Sequence, residues 1–180
     1  MNDIPIGRRI ALALTGVIVS AYLLRPQISQ ALVIRGDERL YRGSTIDALR
    51  YYRRAIATDP LDGSAVDRFV FSAVSVRKRS VVEEAIALSS AYLLRRTDDD
   101  VVRMDRAMAF RMLGDWRHAE SDFELAGRRE RDATALTFAG YAALAAHRRL
   151  RATILWREAL AVDGQFVPAR RALASRGVAP

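Results

Sequence analysis

The stretch Ala107–Ala126, AMAFRMLGDWRHAESDFELA, decides how this chain folds. Read as helix, it gives two short amphipathic segments hinged at Gly114-Asp115. Small residues (Ala107, Ala119, Ala126) fall where helices would touch, and large ones (Phe110, Trp116, Phe123) fill the spaces between. One helix hairpin of this size cannot bury its own apolar face, so further copies are expected in the chain.

The copies are present. The pattern of alanine, aromatic and alanine recurs as Ala152, Trp156, Ala159 and as Ala48, Tyr52, Ala55, with a weaker version from Ala85, where Ser89 and Tyr92 take the later positions. The leading alanines stand at 48, 85, 119 and 152, at intervals of 37, 34 and 33 residues. Here the sequence resembles the tetratricopeptide repeat, a helix-turn-helix unit of about 34 residues. The matching small residues of the first helices are Gly36, Ala73, Ala107 and Gly140, and the turn positions are Gly43, Ser80, Gly114 and His147. The closing position holds proline only at Pro60; the later repeats have Thr97, Arg131 and Gly164 there. The resemblance covers roughly residues 29 to 166. It implies an all-α fold: a right-handed α-solenoid of about four helix hairpins over residues 28–166, closed by a capping helix and tail over 167–180.

Composition agrees with a packed helical chain: 180 residues, 51% hydrophobic, with only 5 prolines. Cysteine is absent, which excludes disulfides and thiolate metal sites. The formal charge is +8, and Lys78 is the one lysine among 29 basic residues. That arginine bias reads as the coding habit of a GC-rich genome rather than as selection for phosphate binding.

Residues 1–27 are expected to form an N-terminal signal-anchor, a transmembrane helix. Ile10 to Leu24 is an uncharged run that includes Leu14, Val17 and Tyr22, bounded by Arg8-Arg9 and by Arg25. As a helix it would be about 22 Å long, short for a hydrocarbon core of about 30 Å unless the flanking arginines snorkel. The alternative is a cleaved secretory signal with Val19-Ser20-Ala21 as the cleavage site, which would release a periplasmic carrier after Ala21. The anchored reading predicts a single-pass protein of a bacterial inner membrane with its repeats in the periplasm.

Charge is uneven. From Thr134 to Pro180 the arginines 148, 149, 151, 157, 170, 171 and 176 face only Glu158 and Asp163, whereas Asp100 to Ala133 is nearly balanced. Arg148, Arg149, Arg151, Arg170 and Arg171 therefore make a candidate basic patch for an acidic partner, anionic lipid or a polyanionic glycan. Aromatic interleaving of the kind that stacks bases is missing there, which argues against nucleic acid.

Nothing in the sequence points to catalysis, a metal or a cofactor. His118 and His147 lie at or beside helix turns, outside any metal-ligand spacing, and the glycines form no phosphate-binding loop. What remains is binding to protein partners, expected among membrane or envelope proteins. The resemblance implies a groove lined by the first helix of each repeat, and it places Tyr41, Arg77, Lys78, Met104, Met108, Arg111 and Tyr141 there. Methionines on one helix face offer an adaptable apolar surface. The expected function is a non-catalytic, membrane-anchored scaffold in an envelope assembly: secretion, pilus, polysaccharide export or an accessory subunit of a membrane complex.

Overall fold

The computed structural model describes residues 22–175, which are helical apart from short connections. Among the described residues nine helices follow one another: α1 (Arg25–Tyr41), α2 (Thr45–Thr58), α3 (Gly63–Val76), α4 (Arg79–Leu93), α5 (Asp100–Leu113), α6 (Trp116–Arg129), α7 (Ala133–Ala145), α8 (Arg149–Val162) and α9 (Val167–Ala174). The chain divides into two compact units, one ending at Ala65 and the other starting at Val66.

In the first unit, α1 folds back on α2 through a turn in which Gly43 takes φ +80°. Only a residue free of a Cβ enters that left-handed region without strain. The same turn closes the end of α1: the Ser44 N–H reaches the Arg39 carbonyl at 2.9 Å, and the Gly43 N–H reaches Leu40 at 2.9 Å. The two helices interlock through a size difference. A Cβ added to Gly36 would lie 2.3 Å from a Tyr52 ring carbon, so the absent side chain is the space the ring occupies. The Tyr52 hydroxyl then donates to Asp37 Oδ1 at 2.7 Å, which satisfies the one polar atom of a fully buried ring. Asp62 ends the unit by accepting from the Ala65 N–H at 3.1 Å and from the Ser29 hydroxyl at 2.6 Å. Asp62 thereby caps the start of α3.

In the second unit each helix from α4 to α9 packs on the next, and α9 also touches α7. The interlock repeats. A Cβ on Gly140 would stand 2.3 Å from the indole nitrogen of Trp156, which donates to the Thr137 carbonyl at 3.2 Å. Ala107 and Phe123 occupy the same core cluster, to which α9 adds Ala169, Ala172 and Leu173. Between α6 and α7, Gly127 lets the Leu136 backbone nitrogen come to 2.9 Å of where a Cβ would be.

Two details differ from the sequence reading. The turn between α3 and α4 falls at Arg77, which carries φ 57°, three residues ahead of Ser80. Lys78 rather than Ser80 is therefore the residue before α4, and no side chain caps that helix.

The expected transmembrane helix is a correction of greater consequence. Among the described residues no helix is long and apolar enough to cross a membrane. The physical reason is charge: α1 carries Arg25, Arg35, Asp37, Glu38 and Arg39 along its length. Of the proposed anchor, Tyr22 and Leu24 are described, and both are exposed just ahead of α1, with the Arg25 guanidinium 4.6 Å over the Tyr22 ring. Ile10, Leu14 and Val17 lie outside the described residues. The fold class is thus all-α and built of tetratricopeptide-like hairpins, and the single-pass inner-membrane location is withdrawn together with the anchor.

The corner between α7 and α8 shows what a residue with a Cβ costs in this geometry. His147 stands where Gly43 and Gly114 stand in their own hairpins and carries φ 63°. Replacing His147 with glycine should therefore raise stability by about 0.5–1 kcal/mol, the left-handed strain being partly offset by a more flexible unfolded chain. Urea unfolding followed by circular dichroism measures it.

Candidate functional site

The second unit holds an open groove of about 670 Å³. Its floor is apolar: Met108 and Met112 from α5, Trp116 from the start of α6, and Phe138 and Tyr141 from α7. Val74, Ala142 and Ala145 complete the lining. Helix periodicity explains the grouping, because Met108, Arg111 and Met112 recur at three and four residues and so share a face, as do Phe138, Tyr141, Ala142 and Ala145. The aromatic rings are held from behind. Tyr141 meets Trp156 edge-on at 5.4 Å, and Phe138 packs on Phe123 at 5.5 Å. Two cations rim the floor: Arg77 at the left-handed turn, and Arg111, whose guanidinium lies 5.8 Å over the Phe138 ring.

Four of the residues that the sequence placed in a groove come together here: Arg77, Met108, Arg111 and Tyr141. Met104 lies one turn earlier on α5, half-buried and off the lining; Lys78 is exposed at the start of α4. Tyr41 belongs to the first unit, at the end of α1, and is 95% exposed. Trp116 and Phe138 were missed as lining residues. Phe138 stands two residues before Gly140, and Trp116 two after Gly114, positions whose direction depends on where each helix starts.

The carboxyl-terminal basic patch is less positive than its sequence suggests. Arg148 Nη1 bonds both oxygens of Glu120 at 2.9 and 2.8 Å, and Arg151 Nη2 reaches Glu124. Arg128, in turn, makes a two-point pair with Glu158 at 3.0 and 2.9 Å. Hydrogen bonds to Glu158 in the one case and to Glu124 in the other push the Arg128 and Arg151 guanidinium pKa values up. The acids that neutralise Arg148 and Arg151 come from α6, a segment that looked balanced when counted by itself. Arg170 bonds Gln165 at 3.0 Å, and Arg149 and Arg171 are exposed.

Polar chemistry is also built into the core. Arg106 holds Asp122 at two points, 2.7 and 2.8 Å, and donates to Ser90 Oγ at 3.1 Å, so that one side chain ties α4, α5 and α6. Arg103 is 7% exposed and pairs with Asp100 at 3.0 Å. Removing one partner of such a pair leaves a buried charge and costs about 3–5 kcal/mol. Tyr92 donates to Asp99 at 2.6 Å; burial, then that bond, pushes its hydroxyl up to about 12. His118 stacks on Phe110 at 5.0 Å and contacts Asp115 at 2.7 Å. No group of metal-ligating side chains converges among the described residues.

Among solved structures the chain is similar to the crystal structure of MamA, at 16% identity and a TM-score of 0.67 over 79% of this chain and 85% of that one. It is similar to MamA 41-end from Desulfovibrio magneticus RS-1, at 15% identity and a TM-score of 0.68 over 82% of each chain. A tetratricopeptide repeat protein from Parabacteroides merdae gives 18% identity and a TM-score of 0.66 over 84% of this chain and 61% of that one. At such identities the likeness is one of fold, and the fold is tetratricopeptide-like. No protein-family model and no curated protein matches the chain.

One buried acid makes the second unit sensitive to pH. Asp105 Oδ2 is buried and finds no donor when the carboxylate is ionised, and the charged groups facing it, Asp67 and Asp99, are both acidic. Burial first, then a hydrogen bond to the Asp67 carboxyl and the two like charges, pushes Asp105 up to about 8. Folded chain thus keeps a proton that unfolded chain loses near pH 4, so stability falls as pH rises from about 4 to about 8 and levels off above. Asp105→Asn, which keeps a donor toward Asp67 without a charge, should flatten that slope and raise the melting temperature at about pH 8. Thermal unfolding across that pH range checks it.

Proposed function

We propose that this chain is a non-catalytic adapter whose second unit holds an amphipathic helix of a partner protein in the groove over Met108, Phe138 and Tyr141. The tetratricopeptide-like fold itself suggests protein–protein interaction. The observation that carries the reading further is the groove floor, where methionine and aromatic side chains line an open groove backed by a packed core. Methionine adapts to irregular apolar surfaces, and aromatic anchors in a pocket supply a disproportionate share of binding energy. A helix laid on this floor would bury its apolar stripe, while acidic residues beside the stripe would meet Arg77 and Arg111. The envelope assembly expected from the leading segment loses its ground with the anchor, and the partner is defined by its helix alone.

A photo-cross-linking amino acid placed at Met112 should capture one predominant partner in cells, and the same probe at Arg157, off the groove, should not. Met108→Glu in the Met112 probe background should abolish the cross-link, and with the purified partner it should weaken binding by about tenfold to a hundredfold. Equal cross-linking from both positions, or a Met112 product indifferent to Met108→Glu, would exclude the groove as the binding surface.

A further inference from the structure

The first unit carries a site of different chemistry, which neither the carboxyl-terminal patch nor the groove includes. An open cavity of about 500 Å³ is lined by Arg39 from the last turn of α1 and by Asp47, Arg50, Tyr51, Arg53 and Arg54 from α2. Among the described residues that line it, four guanidinium groups share one concavity with one carboxylate, and Arg53 has a further interaction of its own. That carboxylate is already engaged: Asp47 Oδ1 accepts from Arg50 at 2.9 Å, and its Oδ2 accepts from the Ser44 hydroxyl at 2.8 Å. Arg39 and Arg54 are exposed and make no ion pair among the described residues. The second unit balances its charge by pairing Arg148 and Arg151 with acids, whereas this cavity leaves Arg39 and Arg54 unmatched.

We infer that this cavity is a docking site for an extended acidic segment of a protein, one with Asp or Glu at alternate positions. Charge complementarity selects the sign, since guanidinium forks take carboxylates at two points. Spacing selects the shape. Arg50 and Arg54 are four residues apart on α2, which sets them about 6 Å apart along the axis, and side chains at alternate positions of an extended strand are about 6.7 Å apart. Successive carboxylates on one edge of such a strand therefore meet successive arginines, with Arg39 approaching from α1. Among the described residues that line the cavity the one ring is Tyr51, which is half-buried and offers no platform for a run of stacked bases, and this favours a polypeptide over a nucleic acid.

The test uses the full chain and a fluorescein-labelled peptide in which Glu alternates with Ser, read by fluorescence anisotropy at low and at physiological salt. Saturable binding that weakens with salt is expected, and Arg39→Glu with Arg54→Glu should weaken it by about tenfold or more. Circular dichroism establishes that this variant folds, and Arg39→Lys with Arg54→Lys, which keeps the charge and loses the fork, should give an intermediate loss. Met108→Glu in the groove should leave peptide binding unchanged, so failure of the groove reading and failure of this one are distinguishable. Absence of binding at low salt, an unchanged affinity in the charge-reversed variant, or tighter binding of a single-stranded oligonucleotide of equal charge would overturn the inference.

Discussion

Three of the four helix hairpins are built on one steric arrangement: a ring from the second helix at the level where the first helix has no side chain, or almost none. Gly36 with Tyr52 and Gly140 with Trp156 make it outright, each leaving no room for a Cβ. Ala107 and Phe123 stand at the same spacing, buried in one core cluster. Each pair is sixteen residues apart, the length of half a helix, a turn and half a helix. The fit sets how close two helices come and where along their length they touch. Because protein interiors are packed to near-crystalline density, that single constraint propagates to every other contact. Arg106 and Asp122 stand at the same spacing, one residue before Ala107 and Phe123, and their two-point pair is a consequence of the same alignment.

The second hairpin shows the limit of the rule. Counted from the start of the second helix, the position of Tyr52, Phe123 and Trp156 falls here on Ile86, which carries no ring, and Ser89 stands where the others have their later alanine, its hydroxyl turned back to the Ala85 carbonyl at 2.7 Å. The turn nevertheless keeps its place in the hairpin: Arg77, with its left-handed φ, precedes α4 by two residues, as Gly43, Gly114 and His147 precede α2, α6 and α8. Arg77, at that turn, is one of the residues that line the groove.

The parts of this molecule that were legible in the sequence are those set by local repetition. Alanine, ring and turn glycine recur at fixed phase, and from them follow the hairpins and four of the seven groove residues. What was not legible depends on which helices lie side by side. Counting charge along the chain could not reveal that Glu120 and Glu124 neutralise Arg148 and Arg151 from about 27 residues away, nor that Arg39 joins Arg50 and Arg54 around one cavity. Asp105 reads as an ordinary polar residue of α5 until Asp67 of α3 is seen to face it. The apolar run ahead of Arg25 suggested a membrane helix by composition alone, but the helix that follows is too charged to belong to a span. Function then rests on surfaces: an apolar floor with arginine at its rim in one unit, and a cavity of arginines in the other.

A thermodynamic cycle at Gly140 and Trp156 tests the steric fit most directly, with stability measured by urea unfolding. In the natural background Gly140→Ala should destabilise by about 1–3 kcal/mol, because the new methyl group meets the indole. In a Trp156→Leu background the same substitution should stabilise by about 0.5–1 kcal/mol, the ordinary preference of a helix for alanine over glycine. A change of the same sign and size in both backgrounds would mean that the ring does not occupy the space of the missing side chain, and that something other than this fit sets the approach of the two helices.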